Sequence, residues 1–335
     1  MALDVDAVKS PIKSSLNTRE MPKTKIAVID HVYLEDRHVR RLRSLGDLEV
    51  FKEPPQTTNE LKDRIASADV VIVGWTNLTR KIISSAKKLK MISIWATTCH
   101  YADLEAAKER GILVTHVPGY ATESVAEYTM ALLLASVRKV ILADKHVRQG
   151  KFDYRPFGGR ELTGKTLGLI GTGAIGCRVA EIAHAFKMEV LGYDKYPDPE
   201  RAAEIGFKYV DLNTLLKQSD VVSIHVTLNP ETERLVGKKE IALMKKGSVI
   251  INTSQGKVID EKALAEALKS GKLCCAGLDV LEEEPPSKNN PLFKLENTVF
   301  SPHIGFNTIE AEARCSDICV DNIAKFMKGK KQNVC

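Results

Sequence analysis

Residues 166–170, Thr-Leu-Gly-Leu-Ile, run directly into Gly171-Thr172-Gly173-Ala174-Ile175-Gly176, and this junction constrains the fold more than any other stretch of the chain. A short apolar run of this kind reads as a buried strand, and glycines spaced G-x-G-x-x-G between a strand and a helix fit one physical task. Gly171 allows a tight turn, Gly173 lets the backbone approach a pyrophosphate, and Gly176 lets helix and strand pack closely. The helix that begins near Ile175 turns its free N–H groups toward the phosphates. The next strand, 189–193, ends in Asp194, about 20 residues beyond the glycines. A carboxylate there accepts hydrogen bonds from ribose hydroxyls and repels a 2′-phosphate, so the expected cofactor is NAD rather than NADP.

The junction sits within a longer rhythm. Runs rich in β-branched residues at 25–29, 70–73, 91–95 and 114–116 alternate with helical patterns at 59–66 and 80–89. A second series follows, with strands expected at 166–170, 189–193, 209–210, 221–225, 249–251, 274–278 and 298–301, and a last helix at 309–327. Alternation of this kind builds parallel sheets covered by helices on both faces, so the fold class is α/β with two doubly wound sheets in one chain. Between the series, residues 122–142 keep apolar positions at helical spacing, a helix long enough to bridge two domains. Its apolar stripe is wider than one domain interface requires, which predicts a homodimer.

Composition excludes several classes. With 44% hydrophobic and 27% charged residues in 335, the chain is a globular protein with room for about two domains. No apolar run is long enough to span a membrane, and the first residues lack the pattern of a secretory signal. Residues 1–23 read as a mobile tail. The formal charge of +6 comes from bases scattered without interleaved aromatics, which argues against nucleic acid and for a surface that mildly attracts small anions. The seven cysteines show no disulfide or zinc spacing, which implies a reducing, cytoplasmic setting and no metal site. Cys315 and Cys319, one helical turn apart, read as small buried residues.

Beyond the glycine junction, Val125-Ala126-Glu127, Gly277-Leu278-Asp279-Val280 with Glu284-Pro285, and Ser301-Pro302-His303-Ile304-Gly305 together resemble the D-isomer-specific 2-hydroxyacid dehydrogenase family. The resemblance covers roughly residues 25–328. It implies a catalytic domain made of both chain ends, 24–120 and 306–335, with an NAD-binding domain, 121–305, inserted between them and the active site in the cleft. It also implies an NAD-dependent oxidoreductase acting on a small molecule, with dimerisation through the coenzyme domains. His303 paired with Glu284 matches the family's acid/base: an imidazole can give and take the proton that accompanies hydride transfer, and a nearby carboxylate keeps the protonated form available. Thr227, Thr232, Thr253, Ser254, Asp279 and Gly305 match cofactor-side positions, beside Gly171, Gly173, Ala174, Ile175, Gly176 and Asp194.

Two positions depart from the family. Where the family places an arginine that grips the substrate carboxylate, this chain has Gln255, a neutral donor in place of an always-charged fork. Losing such a partner typically costs about 2–5 kcal/mol. The family's glycine-rich substrate loop reads here Ala96-Thr97-Thr98-Cys99-His100-Tyr101-Ala102-Asp103, offering hydroxyls, a thiol, an imidazole and a phenol. The expectation is an active oxidoreductase whose substrate is not a standard 2-keto acid. The rival is a non-enzymatic NAD(H)-binding scaffold or corepressor-like protein.

Overall fold

A computed structural model describes residues 23–335, so the tail expected over 1–23 lies outside the described residues apart from Lys23. The chain divides into two units, one made of the residues up to His116 together with Cys319–Cys335, the other of Val117–Ile318. Residues 306–318, expected with the chain ends, group with the larger unit. Both sheets are parallel throughout.

In the smaller unit, strands β1 (Lys25–Val28), β2 (Asp47–Val50), β3 (Val70–Val73), β4 (Met91–Ile94) and β5 (Leu113–Thr115) are ordered β2-β1-β3-β4-β5. The runs Val-Val-Ile-Val in β3 and Met-Ile-Ser-Ile in β4 are buried at every position. A parallel strand covered by helices on both faces needs such a run rather than an alternating one. The edge strand β2 and the helix Asp36–Leu45 before it are not evident from apolar patterning, because only Leu42 and His38 of that helix are buried and β2 has no fully buried residue.

In the larger unit, β6 (Thr166–Ile170), β7 (Glu189–Tyr193), β8 (Lys208–Tyr209), β9 (Val221–Ile224), β10 (Ser248–Asn252), β11 (Leu273–Leu278) and β12 (Thr298–Phe300) are ordered β12-β11-β10-β9-β6-β7-β8. One face packs against the helices Thr122–Arg138 and Ala174–Ala185 through Leu132, Leu133, Val179 and Ala183. The other face is covered by Leu215, Leu216, Ile241 and Leu264. Helix starts are set by short polar caps: Asp198, Asp211 and Asp260 each accept a backbone N–H from the first turn of the helix that follows.

The helix expected over 122–142 is two helices. Lys139 adopts a left-handed conformation (φ 53°), its N–H closes back on Ala135 O, and a separate helix, Val140–Arg148, begins after it. Neither spans two domains, since both lie in the larger unit. The wide stripe of the first helix is largely consumed by its own unit, with Val125, Met130, Leu132, Leu133 and Val137 all buried. No helix of the described residues is long and apolar enough to cross a membrane.

The cysteine reading also needs correction. Cys99 and Cys335, 236 residues apart in sequence, form a disulfide with their Cα atoms 6.0 Å apart. Sequence spacing reports only local pairs, and this one joins the loop after β4 to the segment bearing Cys335, both in the smaller unit. Cys315 and Cys319 are buried as expected; burial pushes the Cys319 thiol up to about 12, although Ser93 Oγ lies 3.1 Å from it.

Candidate active site

In the larger sheet the strand order reverses between β6 and β9, the point at which open α/β sheets bind ligands. The glycine loop leaves β6 there. Gly171 has φ 98°, and a Cβ on it would lie 2.7 Å from the His225 carbonyl carbon, so no other residue fits without displacing backbone. A Cβ on Gly176 would come within 2.2 Å of Gly171 O, the close helix–strand packing expected of the third glycine. A Cβ on Gly173 would meet nothing within 4 Å, leaving open space beside the first turn of the helix Ala174–Ala185. That turn includes Ala174, Ile175 and Gly176, whose N–H groups precede the first intrahelical bond, Cys177 N–H to Gly173 O.

Asp194, at the end of β7, accepts Thr172 N–H at 2.7 Å and Tyr196 N–H at 2.9 Å, which fixes its carboxylate beside the glycine loop. Lys195 next to it is paired with Glu231. Beyond β9, Thr232 donates its hydroxyl to Thr227 O at 2.7 Å and accepts Asn229 N–H at 2.8 Å, so that side chain closes its own turn. These residues form a cradle with space, free N–H groups and a carboxylate at the far side, a set that fits a dinucleotide.

The second cluster is built on the ends of β10, β11 and β12. Asp279 is 2% exposed, and its oxygens accept Ser301 Oγ–H (2.6 Å), Ile304 N–H (2.9 Å) and Gly305 N–H (2.7 Å), while its carbonyl accepts His303 N–H (2.8 Å). The loop 301–305 is thereby wrapped around one buried carboxylate. That wrapping accommodates His303 in a left-handed conformation, φ 55°, and Ser124 Oγ–H closes on Gly305 O at 2.7 Å. His303 Nδ1 meets Glu284 Oε2 at 2.7 Å, and Glu284 Oε1 accepts Leu281 N–H at 3.1 Å.

The hydrogen bond to Glu284 raises the pKa of His303 above the ordinary imidazole value; burial works against this and the charges of Glu284 and Asp279 add to it. For Glu284, burial pushes upward, but the hydrogen bond and charge of His303 outweigh it and its pKa lies below the usual value. Glu284 engages Nδ1 and leaves Nε2 as the second titratable nitrogen of the His303 ring. His225 behaves in the opposite way. With Nε2 2.9 Å from Ser223 Oγ, it is pushed down to about 4 by burial and stays neutral at physiological pH.

The loop that opened the substrate question is held by Asn252, a residue that sequence patterning does not single out. Its Nδ2–H donates to Gln255 O at 2.9 Å, and its Oδ1 accepts both N–H and Oγ–H of Ser254 at 3.0 Å. Gly256 cannot be replaced there, because a Cβ would fall 1.9 Å from Leu281 O. Gln255 is half-buried. Thr253 is buried with its hydroxyl 2.8 Å from Thr129 Oγ1, and since Thr129 donates to Val125 O, Thr253 is the donor in that pair.

Thr97, Thr98, Cys99, His100 and Tyr101 lie in the smaller unit, after β4. Cys99 offers no thiol, being disulfide-bonded. Thr97 O meets His116 Nδ1 at 2.7 Å, and the His100 and Tyr101 rings lie 4.2 Å apart. Burial lowers the pKa of His100. Sequence reasoning missed Asp30, fully buried after β1, whose carboxylate accepts the N–H groups of Gly74 (2.7 Å), Trp75 (2.9 Å) and Thr76 (2.7 Å). It shapes the loop after β3, at the point where the smaller sheet reverses its own strand order. An aspartate following an apolar strand was the sole signal.

Residues 130–305 match the family model for the D-isomer specific 2-hydroxyacid dehydrogenase NAD binding domain. The chain is 43% identical over 308 residues to a D-3-phosphoglycerate dehydrogenase of Methanocaldococcus jannaschii, an alignment covering 91% of this chain but 58% of that protein. It thus spans little more than half the length of that relative, and 54% of a second phosphoglycerate dehydrogenase, from Archaeoglobus fulgidus. A glyoxylate reductase of Thermococcus litoralis is 38% identical, with 93% of each chain aligned. Among solved structures, an acyclic imino acid reductase in complex with NADPH and D-Arg is similar with a TM-score of 0.84 and 36% identity, over 93% of this chain and all of that one.

Proposed function

Because the chain belongs to the D-isomer specific 2-hydroxyacid dehydrogenase family, we propose that it is an NAD-dependent oxidoreductase interconverting a small 2-oxo acid and its 2-hydroxy acid; the relatives lend no support to the wholly atypical substrate expected from the sequence. The observation that carries the proposal is the His303–Glu284 pair, 2.7 Å apart, on a loop fixed by Asp279. Bound NADH supplies the hydride. His303, held protonated by Glu284, donates its Nε2 proton to the oxygen of the carbon being reduced, and in the reverse direction neutral Nε2 takes that proton back. Glu284 fixes the tautomer and orientation by occupying Nδ1. The glycine loop, the first turn of the helix Ala174–Ala185 and Asp194 hold the dinucleotide, with Asp194 favouring NAD over NADP. A non-catalytic NAD(H)-binding scaffold would leave the raised imidazole without a role.

Gln255 sets the finer specificity within this reading. Its amide supplies one neutral hydrogen bond where the family has a charge-assisted fork, so substrates that depend on two-point capture of the carboxylate bind weakly. A neutral amide also tolerates a positively charged reacting centre that a guanidinium would repel. The similarity to an imino acid reductase favours an iminium formed from a 2-oxo acid and an amine as a second substrate class. The test is NADH oxidation with glyoxylate, hydroxypyruvate and pyruvate, each with and without an amine, using the native chain and Gln255→Arg. Turnover of at least one of these is expected, with improved use of amine-free keto acids by Gln255→Arg. Tight NADH binding with no turnover in any condition would contradict it.

The protein assembles as a homodimer and resides in the cytoplasm in this reading. The dimer rests on a feature other than the helix that first suggested it. The helix Val140–Arg148 has no buried residue and exposes Val140, Ile141 and Val147, and Phe152 and Tyr154 beyond it are 95% and 87% exposed. Apolar surface of this extent on one segment needs a partner. Five of the seven cysteines, Cys177, Cys274, Cys275, Cys315 and Cys319, keep free thiols, which accords with a cytoplasmic setting, whereas the Cys99–Cys335 bond is of a kind rare there.

A further inference from the structure

The disulfide joins two segments that are otherwise held in different ways. The segment bearing Cys335 is bound to the β5 side of the smaller sheet without help from sulfur: His116 N–H donates to Asn333 O, Cys335 N–H donates to Val114 O, both at 3.0 Å, and Thr115 and Val334 form a bridge. Asn322, 2% exposed, ties this together by donating to His116 O at 2.9 Å and accepting Gln332 Nε2–H at 3.1 Å and Asn333 Nδ2–H at 3.0 Å. The loop 96–103 is anchored at its ends, by Leu78 N–H to Tyr101 O (2.8 Å), Asp103 N–H to Leu78 O (3.0 Å) and the contact of His116 with Thr97 O. Cys99, at its middle, carries the covalent tie to the docked tail. Cys335 is exposed, so an outside thiol can reach the bond.

We propose that Cys99–Cys335 is a thiol-controlled latch on the Thr97–Tyr101 loop, closed when oxidised and opened by a dithiol reductant, a protein or small molecule carrying two adjacent thiols. The inference rests on the proposed 2-oxo acid activity together with the expectation, from the family resemblance, that this loop lies at the substrate. In the opening step a reductant thiolate attacks Sγ of Cys335, the S–S bond breaks, and the Cys99 sulfur leaves as a thiolate that takes up a proton. The second thiol of the reductant then displaces Cys335, which is also protonated, and the reductant ends as a disulfide, so two electrons and two protons pass to the protein. The tail keeps its hydrogen bonds to Val114 and His116. The loop loses its tether, and a less ordered loop binds its ligand more weakly.

The test compares air-oxidised and dithiothreitol-treated protein, with the thiol state read from intact mass. Reduction is expected to raise KM for a turned-over 2-oxo acid by about threefold or more while leaving the dissociation constant for NADH unchanged. Cys335→Ser should show the higher KM at once and no response to dithiothreitol. Amide hydrogen exchange provides an activity-free readout: protection at Ala102, whose N–H donates to Cys99 O at 3.3 Å, should fall on reduction of the native chain and stay constant in Cys335→Ser. If no substrate is turned over, loss of the exchange response overturns the latch and its presence sustains it, whatever the fate of the proposed activity. The latch is also overturned if both thiols are free in the oxidised protein, or if KM is unchanged after the bond has opened.

Discussion

The five-stranded and seven-stranded sheets each reverse their strand order once, and each sets polar loops at that point, but they fix those loops by different means. At its reversal point the larger unit relies chiefly on backbone: glycines that admit close approach and the N-terminus of the helix Ala174–Ala185, with the Asp194 side chain added beside them. The smaller unit uses side chains from distant parts of the sequence: Asp30 gathering Gly74, Trp75 and Thr76 at the reversal point, and, away from that point beside β4 and β5, a disulfide spanning 236 positions. A backbone device leaves a contiguous motif that can be read directly. A side-chain device leaves one residue at each of two places, and nothing in either says that they meet. The glycine loop of the larger unit is therefore legible early, and the loops of the smaller unit are where reading from sequence stops.

If the division of labour is right, the largest effect should come from the acid/base. His303→Ala is expected to lower kcat by about 10²–10⁴-fold, the usual range for general acid–base catalysis. Steady-state rates at saturating NADH check this, and a loss below about tenfold would place the proton source elsewhere. Asp279→Ala comes next. It leaves the Ser301 hydroxyl and the Ile304 and Gly305 amides without their acceptor in a buried setting, at an expected cost of about 2–4 kcal/mol. Urea unfolding measures that cost, and a variant of native stability would show that the loop does not depend on this carboxylate.

The smallest effect is expected at Asp194. Replacing it with Ala should relax the preference for NADH over NADPH by about tenfold, or roughly 1.4 kcal/mol. Lys195 contributes little in the native protein because it is paired with Glu231. Titration of both dinucleotides decides the matter; an unchanged ratio would remove Asp194 from the ribose contact.

The inner strands of both sheets were legible because a parallel strand covered on both faces needs a run of apolar residues, and β3, β6, β9 and β10 supply one, whereas the edge strand β2 does not. The break at Lys139 was not, because a lysine has no preference that marks a left-handed residue, and the apolar spacing continues past it. His303 and Glu284 were found through a family phrase, and their contact at 2.7 Å accords with it. Asn252 and Asp30 were invisible for a shared reason. Each is a buried polar residue whose partners are mainly backbone groups, with the Ser254 hydroxyl on Asn252 as the one exception, and backbone groups leave no trace in sequence.

The central claim is that Glu284 keeps His303 protonated so that it can serve as the acid in carbonyl reduction. The most direct measurement is the pH dependence of kcat/KM for reduction in the native chain and in Glu284→Gln. Reduction needs the imidazolium, so the rate should be level at low pH and fall as pH rises through the His303 pKa, which lies above its ordinary 6.5. Without the carboxylate that raising contribution is lost and burial pulls the pKa down, so the falling limb of Glu284→Gln should move to lower pH. A limb at the same pH in both proteins would contradict the account.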